Sequence, residues 1–276
     1  MSDRVTVSVE GGVADVRMNR PDKLNALDDA MFSGLIETGL ELAGDPSLRA
    51  VVLSGEGRAF CAGLDFSGFQ AMDRDGNRGE RKGDGGAPVG LLAGAGESPA
   101  NRAQRAAWVW TEVPVPVIAA IHGVAFGGGL QVALGADIRF VAPDARLSVM
   151  EIKWGLIPDM SGTQTLRRLV RLDVAKELTF TGRTVLGTEA VELGLATYVS
   201  ETPREAALEL AREIASKSPS AIRAGKRLLD EAVRGSVEQG LALEATTQAS
   251  LIARPNQIEA VRANMEKRDP VFEDPE

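Results

Sequence analysis

The stretch Ile121–Phe140, IHGVAFGGGLQVALGADIRF, constrains this chain more than any other. Three consecutive glycines, Gly127, Gly128 and Gly129, open a segment that then reads as a short helix. Bare backbone N–H groups at a helix start, with no side chains to block approach, suit a negatively charged oxygen. A second glycine turn, Phe60–Asp65 (FCAGLD), follows the predicted strand Arg49–Ser54. Two such turns supply two donors to one carbonyl oxygen, which is what stabilising an enolate requires. Gln131, Glu151 and Asp159 follow as polar positions downstream. The pattern reads as a site for chemistry next to an acyl carbonyl.

Charge and cysteine usage narrow the alternatives. The 276 residues carry a formal net charge of −8, which argues against a nucleic-acid partner. One cysteine, Cys61, excludes an intrachain disulfide and fits a reducing compartment. With a single histidine, His122, and no G-x-S-x-G, neither a four-ligand His/Cys zinc cluster nor a Ser-His-Asp hydrolase is expected. The opening MSDRVTVSVEGG shows neither a basic nor an apolar leader segment, and no apolar run is long enough to span a bilayer. The expectation is a cytoplasmic protein away from the membrane, with no metal.

Val5–Glu10 and Val13–Asn19 alternate around Gly11-Gly12 and predict a β-hairpin. A helix is predicted from Asp28 to about Ala43, with Met31, Phe32, Leu35, Ile36 and Leu42 on its apolar face. Pro116–Ile121 and Ile138–Ala142 read as further short strands, so the chain alternates strand and helix as an α/β domain does. Residues 73–102 are too rich in glycine and charge to bury a core. They are expected to form a loop, either a lid over an acyl pocket or a surface insertion. Helices are predicted at Arg204–Lys217, Ala221–Arg234, Val237–Ala253 and Asn256–Lys267, with Pro203, Pro219 and Pro255 at their starts.

In that order the chain carries RPDKLNAL (Arg20–Leu27), GRAFCAGLD (Gly57–Asp65), PVIAAIHGVAFGGGLQVALGADIRF (Pro116–Phe140), EIKWGLIPDMSGTQTLRR (Glu151–Arg168), TGR (Thr181–Arg183) and AVELGLATYV (Ala190–Val199). The ordered set resembles the crotonase (enoyl-CoA hydratase/isomerase) superfamily over nearly the whole chain. The resemblance implies a spiral of ββα units over residues 1–200. It also implies a C-terminal helical region, 201–276, that packs trimers or hexamers. It implies an acyl-CoA thioester substrate, with coenzyme A entering as part of the substrate and no separate cofactor. The oxyanion hole then falls on the backbone N–H groups of Leu64 and Gly128. The acyl-CoA-contacting positions fall on Lys23, Ala26, Ala62, Gly63, Asp65 and Gly127. Arg20 and Lys23 either meet coenzyme A phosphates or serve as solvated surface.

Against the hydratase pattern the chain departs at one place. The first of the two family glutamates is Gln131 here, and an amide accepts no proton at neutral pH. Losing one acid/base group costs about 10²–10⁴-fold in rate. Glu151 keeps the second glutamate, and Asp159 adds a carboxylate that resembles the dienoyl-CoA isomerase branch, whose third acid is missing at Gln131. On this reading Asp159 is the base at the α carbon and Glu151 the acid at the distal carbon. The alternative for Asp159 is a helix-entry charge, ahead of a predicted capping box formed by Ser161 and Gln164. Three activities remain open: an enoyl or dienoyl-CoA isomerase of acyl-CoA degradation, a hydratase or other crotonase reaction, and a non-catalytic acyl-CoA-binding protein. His122 and Cys61 read as structural, and Trp108, Trp110 and Trp154 as core or tunnel residues.

Overall fold

The computed structural model describes residues 3–65 and 98–275. Most of the loop expected over 73–102 lies outside the described residues. At its end Asn101 caps a helix: its side chain accepts from Gln104 N while Gln104 reaches back to the cap, a complete capping box.

The hairpin forms as predicted from β1 (Val5–Glu10) and β2 (Val13–Met18), with Glu10 opposite Val13 across Gly11-Gly12. Strands β3 (Ala50–Gly55), β4 (Val117–Ile121), β6 (Ile138–Val141) and β9 (Tyr198–Val199) then add in parallel, giving the order β1-β2-β3-β4-β6-β9. The short strands β5 (Val124–Phe126), β7 (Arg146–Ser148) and β8 (Val185–Leu186) make a second sheet in the order β5-β7-β8. The chain thus steps repeatedly from the large sheet to the small one and into a helix. β4, β5 and α3 (Gly128–Leu134) are one such ββα unit.

Burial on both faces explains the composition of β3. Every residue of AVVLSG is buried, as expected of a parallel strand covered from two sides. Val51 and Leu53 point into the main core with Met31, Phe32 and Leu35 of α1 (Asp29–Ala43) and Trp110 of α2 (Arg102–Glu112). The alternate residues Ala50 and Val52 face Ala207 and Ala211 of α7 (Pro203–Ala215). The first C-terminal helix is therefore a wall of the sheet. The rest of the chain adds α4 (Gly162–Leu169), α5 (Leu172–Thr181) and α6 (Gly187–Leu193) before α7, and α8 (Pro219–Ala232), α9 (Val237–Leu251) and α10 (Pro255–Glu266) after it. Pro203, Pro219 and Pro255 occupy the first helical turn as expected.

Two local expectations fail. Ser161 does precede α4, but its φ of 68° is left-handed and its hydroxyl caps nothing. Gln164 turns to Thr163 instead, so no capping box forms. A box needs an extended cap residue whose side chain can fold over the first turn. Trp154 is 50% exposed, with the Lys153 ammonium 5.4 Å from its ring centre, so it does not pack the core. Trp110 is fully buried, and Trp108 is half-buried beneath the Arg234 guanidinium.

Helices α1 and α2 cross where Gly39 meets Val109: a Cβ on Gly39 would lie 2.6 Å from a Val109 methyl. Val109 is buried and β-branched, so it has little room to yield. Gly39→Ala is expected to destabilise the fold by about 1–3 kcal/mol, read as a lower denaturation midpoint at unchanged m-value.

Candidate functional site

The glycine run closes against the FCAGLD turn through backbone. Cys61 N donates to Val124 O at 3.0 Å and Phe126 N to Cys61 O at 3.0 Å, so the turn enters the small sheet beside β5. Gly63 lies against β5's end: a Cβ there would sit 2.6 Å from Phe126 O and 3.7 Å from Gly128 N. Gly129 touches the turn in return, since its Cβ would meet Cys61 O at 2.4 Å. Gly127 has φ 50° and ψ −121°, a conformation that a side chain disfavours. Each glycine is therefore fixed by a separate contact.

Leu64 and Gly128 meet at this junction. Leu27 N donates to Gly63 O at 2.8 Å, and Asp65 N donates to Leu27 O at 3.0 Å. Backbone donors alternate sides along an extended segment, so Leu64 N–H points away from Leu27. Gly128 is the first residue of α3, whose opening N–H groups have no intrahelical acceptor. Leu64, Gly127 and Gly128 are all partly accessible. Leu64 and Gly128 both belong to the backbone junction where Gly63 approaches Gly128 N.

The loop carrying these donors is locked from below by residues that the sequence reading used otherwise. Arg20 Nη1 lies 2.7 Å from Asp65 Oδ2 and donates to Ala26 O at 3.2 Å. Both side chains of the Arg20–Asp65 pair are largely buried, which removes Arg20 from the surface available to phosphates. Lys23 remains exposed on the preceding 3-10 turn (Pro21–Lys23). Ala26 and Ala62 are half-buried, and Ala62 N donates to Leu24 O at 2.9 Å. Asn25, which the sequence reading passed over, is fully buried in a left-handed conformation, φ 56°. It bonds Arg20 N, Glu56 O and Ala59 O. An asparagine between two apolar residues was the available signal, because Asn tolerates that conformation.

Glu151 begins a 3-10 turn (Glu151–Trp154). It is 9% exposed and lies against Gly127, whose Cβ would be 3.3 Å from Glu151 Oε1. Gln131 Nε2 donates to that Oε1 at 2.5 Å. Gln131 Oε1 in turn accepts from Met160 N and Gly162 N, each at 2.8 Å. Glu151 Oε2 is buried with no hydrogen-bond partner among the described residues. Asp159 stands at the rim, open to water but flanked by protein.

Burial pushes the Glu151 carboxyl above the ordinary carboxylate range, and the negative charge of Asp159 adds to the rise. Lost solvation raises Asp159 as well. Both groups can therefore hold a proton further toward neutral pH than a free acid. By contrast, burial pushes the Cys61 thiol up to about 12, and its Sγ donates to Asn25 O. That confirms Cys61 as inert packing. His122 Nε2 lies 3.0 Å from Gly57 O, also a structural contact. Among the described residues no group of three His, Cys, Asp or Glu is placed to hold a metal, and no helix is long and apolar enough to cross a membrane.

A family profile for enoyl-CoA hydratase/isomerase matches residues 13–211. The human mitochondrial enoyl-CoA hydratase domain-containing protein 2 is 34% identical over 98% of this chain and 88% of its own. The mitochondrial Δ(3,5)-Δ(2,4)-dienoyl-CoA isomerase of Rattus norvegicus is 35% identical over 95% of this chain and 79% of its own. The crystal structure of an enoyl-CoA hydratase from Bacillus anthracis superimposes with a TM-score of 0.85 at 30% identity, over 99% of this chain and 100% of the other. These relatives include mitochondrial proteins, so membership does not itself assign the cytoplasm.

Two measurements test the site's construction. Arg20→Met is expected to lower both stability, by about 2 kcal/mol, and turnover, with coenzyme A affinity nearly unchanged; a selective loss of coenzyme A binding would return Arg20 to the phosphates. The raised Glu151 carboxyl means that, above the ordinary carboxylate range, the folded chain binds more protons than the unfolded one. Its neutral form therefore favours folding at low pH, and that contribution is lost as pH rises through the raised folded value. Glu151→Gln is expected to raise Tm relative to wild type at neutral and alkaline pH, with the gap closing toward pH 4. From its matched motifs and its spiral architecture, the chain belongs to the enoyl-CoA hydratase/isomerase family of the crotonase superfamily.

Proposed function

We propose that this chain isomerises enoyl- or dienoyl-CoA thioesters, moving double bonds by proton transfer through an enolate. One observation carries the choice over hydration: both lone pairs of Gln131 Oε1 are taken by Met160 N and Gly162 N, and its amide donates to Glu151. Gln131 has no acceptor left for a proton of a nucleophilic water. Among the described residues, the carboxyl groups beside the junction that can exchange protons are Glu151 and Asp159.

In this reading the thioester oxygen lies between Leu64 N–H and Gly128 N–H, and each donor lowers the enolate barrier by about 3–4 kcal/mol. Glu151 lies against Gly127, next to Gly128, and Asp159 stands further out. That placement favours a division of labour opposite to the one read from sequence. Glu151 Oε2 takes the proton from the α carbon of a 3,5-dienoyl thioester, and the electron pair spreads through the dienolate. Asp159 delivers a proton to the far carbon, giving the 2,4-dienoyl product with no net change in atoms. Ala26, Ala62, Gly63, Asp65 and Lys23 would flank the thioester and its coenzyme A. The exposed apolar side chains Leu229, Val233, Val237, Leu241 and Met265 suit burial in the trimer or hexamer that the family resemblance implies.

A paired spectrophotometric assay tests the reading, with a 3,5-dienoyl-CoA in one cuvette and a trans-2-enoyl-CoA of equal length in the other. New 2,4-dienoyl absorbance with a nearly constant 2-enoyl signal is expected. Rapid loss of the 2-enoyl chromophore would overturn it in favour of hydration. Glu151→Gln should abolish turnover with coenzyme A binding kept, and Asp159→Asn should reduce dienoyl isomerisation by about tenfold or more.

A further inference from the structure

The contacts of Gln131 describe a device rather than a lone polar side chain. Its carboxamide is 3% exposed and its orientation is dictated. Two backbone N–H groups converge on Oε1, so the opposite rotamer would set the amide's own N–H groups against them. Nε2 must therefore face Glu151 Oε1 and donate to it. The packing leaves no slack: a Cβ on Gly162 would come within 2.5 Å of Gln131 Oε1. The donors Met160 N and Gly162 N belong to the segment that carries Asp159.

From this we propose that Gln131 is a positioning residue, clamping Glu151 to the segment that bears Asp159 so that Oε2 alone is left to exchange protons with the substrate. Oε1 is held by the amide, and Oε2 is the buried atom with no protein partner among the described residues. The clamp also ties the two carboxylates to a single side chain, so neither moves without straining the other.

The electrostatic surroundings of Glu151 are simple. Asp159 is the charged group that bears on it. Helix α3 (GGLQVAL) brings no charged residue. On α5, packed against the 3-10 turn, Asp173 pairs with Arg171 and Glu177 with Arg183. The Gln131 donor opposes the rise caused by burial, because it favours the charged carboxylate. Removing it has a signed consequence.

The test is a titration of Glu151 in the full chain labelled with ¹³C at the glutamate carboxyl, with Glu151→Gln identifying the signal. In Gln131→Met, which keeps length but loses donor and acceptor, the Glu151 midpoint is expected to rise by about a pH unit. In Gln131→Glu the outer oxygen still accepts from Met160 and Gly162, while the inner one meets Glu151 Oε1. Two carboxylate oxygens so close share one proton, so Glu151 should titrate in two steps, one below and one above the wild-type midpoint. An unmoved single step in Gln131→Glu overturns the clamp, and that variant decides alone if Gln131→Met fails to fold.

A kinetic arm rests on the proposed isomerase reading. The acid limb of kcat/KM for the 3,5-dienoyl thioester should follow the Glu151 midpoint upward in Gln131→Met, with kcat lower by about tenfold or more and KM nearly unchanged. Gln131→Glu should gain an alkaline limb, where the second ionisation drives the carboxylates apart. A fall in kcat with unmoved limbs would reduce Gln131 to packing. Glu151 midpoints that shift in the two variants, with no dienoyl turnover by the wild-type chain, would keep the clamp and remove the isomerase reading, so the two fail separately.

Discussion

Everything at the site depends on two stretches of backbone lying closer than side chains permit. Residues 61–64 and 125–129 touch through glycine at Gly63 and Gly129, and hydrogen bonds between Cys61, Val124 and Phe126 hold them in register. An alanine at Gly129 would collide with a carbonyl that is itself committed to the sheet, so the loop has no inexpensive way to yield. Folding thus holds the backbone around Leu64 and Gly128 in place. Donors fixed in advance need no reorganisation when charge develops on an oxygen between them. The Arg20–Asp65 pair and the Asn25 bonds brace the same loop from the opposite side.

Electrostatics in this enclosure limit how many acids it can hold. Glu151 is buried and already feels Asp159, and each carboxyl is displaced toward its neutral form by lost solvation. A third carboxylate at position 131 would face Glu151 where the amide now donates, adding like-charge repulsion in a poorly solvated place. The amide instead stabilises the charged form of Glu151 while burial opposes it. Burial is the larger of the two, so the carboxyl stays above the ordinary carboxylate range. That balance is held at some expense in folding free energy, which the doubly covered sheet offsets.

What was legible in the sequence is what local physics determines. Gly11-Gly12, the helix start at Asp28, the short apolar strand β3 and the prolines opening α7, α8 and α10 each act within a few residues. The two glycine turns were legible too, because few sequences tolerate them without a reason. Long-range choices were not. Arg20 offered a cation near a coenzyme A region, yet its partner Asp65 arrives only through the fold. Ser161 and Gln164 had the spacing of a capping box, but the left-handed backbone at Ser161 prevents it. Trp154 was read as a core or tunnel residue, and the 3-10 turn at Glu151 carries it out of the core.

The same distinction decides how similarity should be read. Relatives named for hydration and for dienoyl isomerisation stand at 34% and 35% identity to this chain, each over 95% of its length or more. A fold that brings the glycine turns together in this way would serve any reaction that passes through a thioester enolate. On the proposed reading, the reaction is chosen afterwards, by which atoms near the junction can still accept a proton. That is a census of lone pairs: at Gln131 both carbonyl lone pairs are taken, whereas at Glu151 one oxygen is buried without a partner. On the proposed reading, two hydrogen bonds to a single amide oxygen favour isomerisation over hydration, where relatives of both names stand at nearly equal identity.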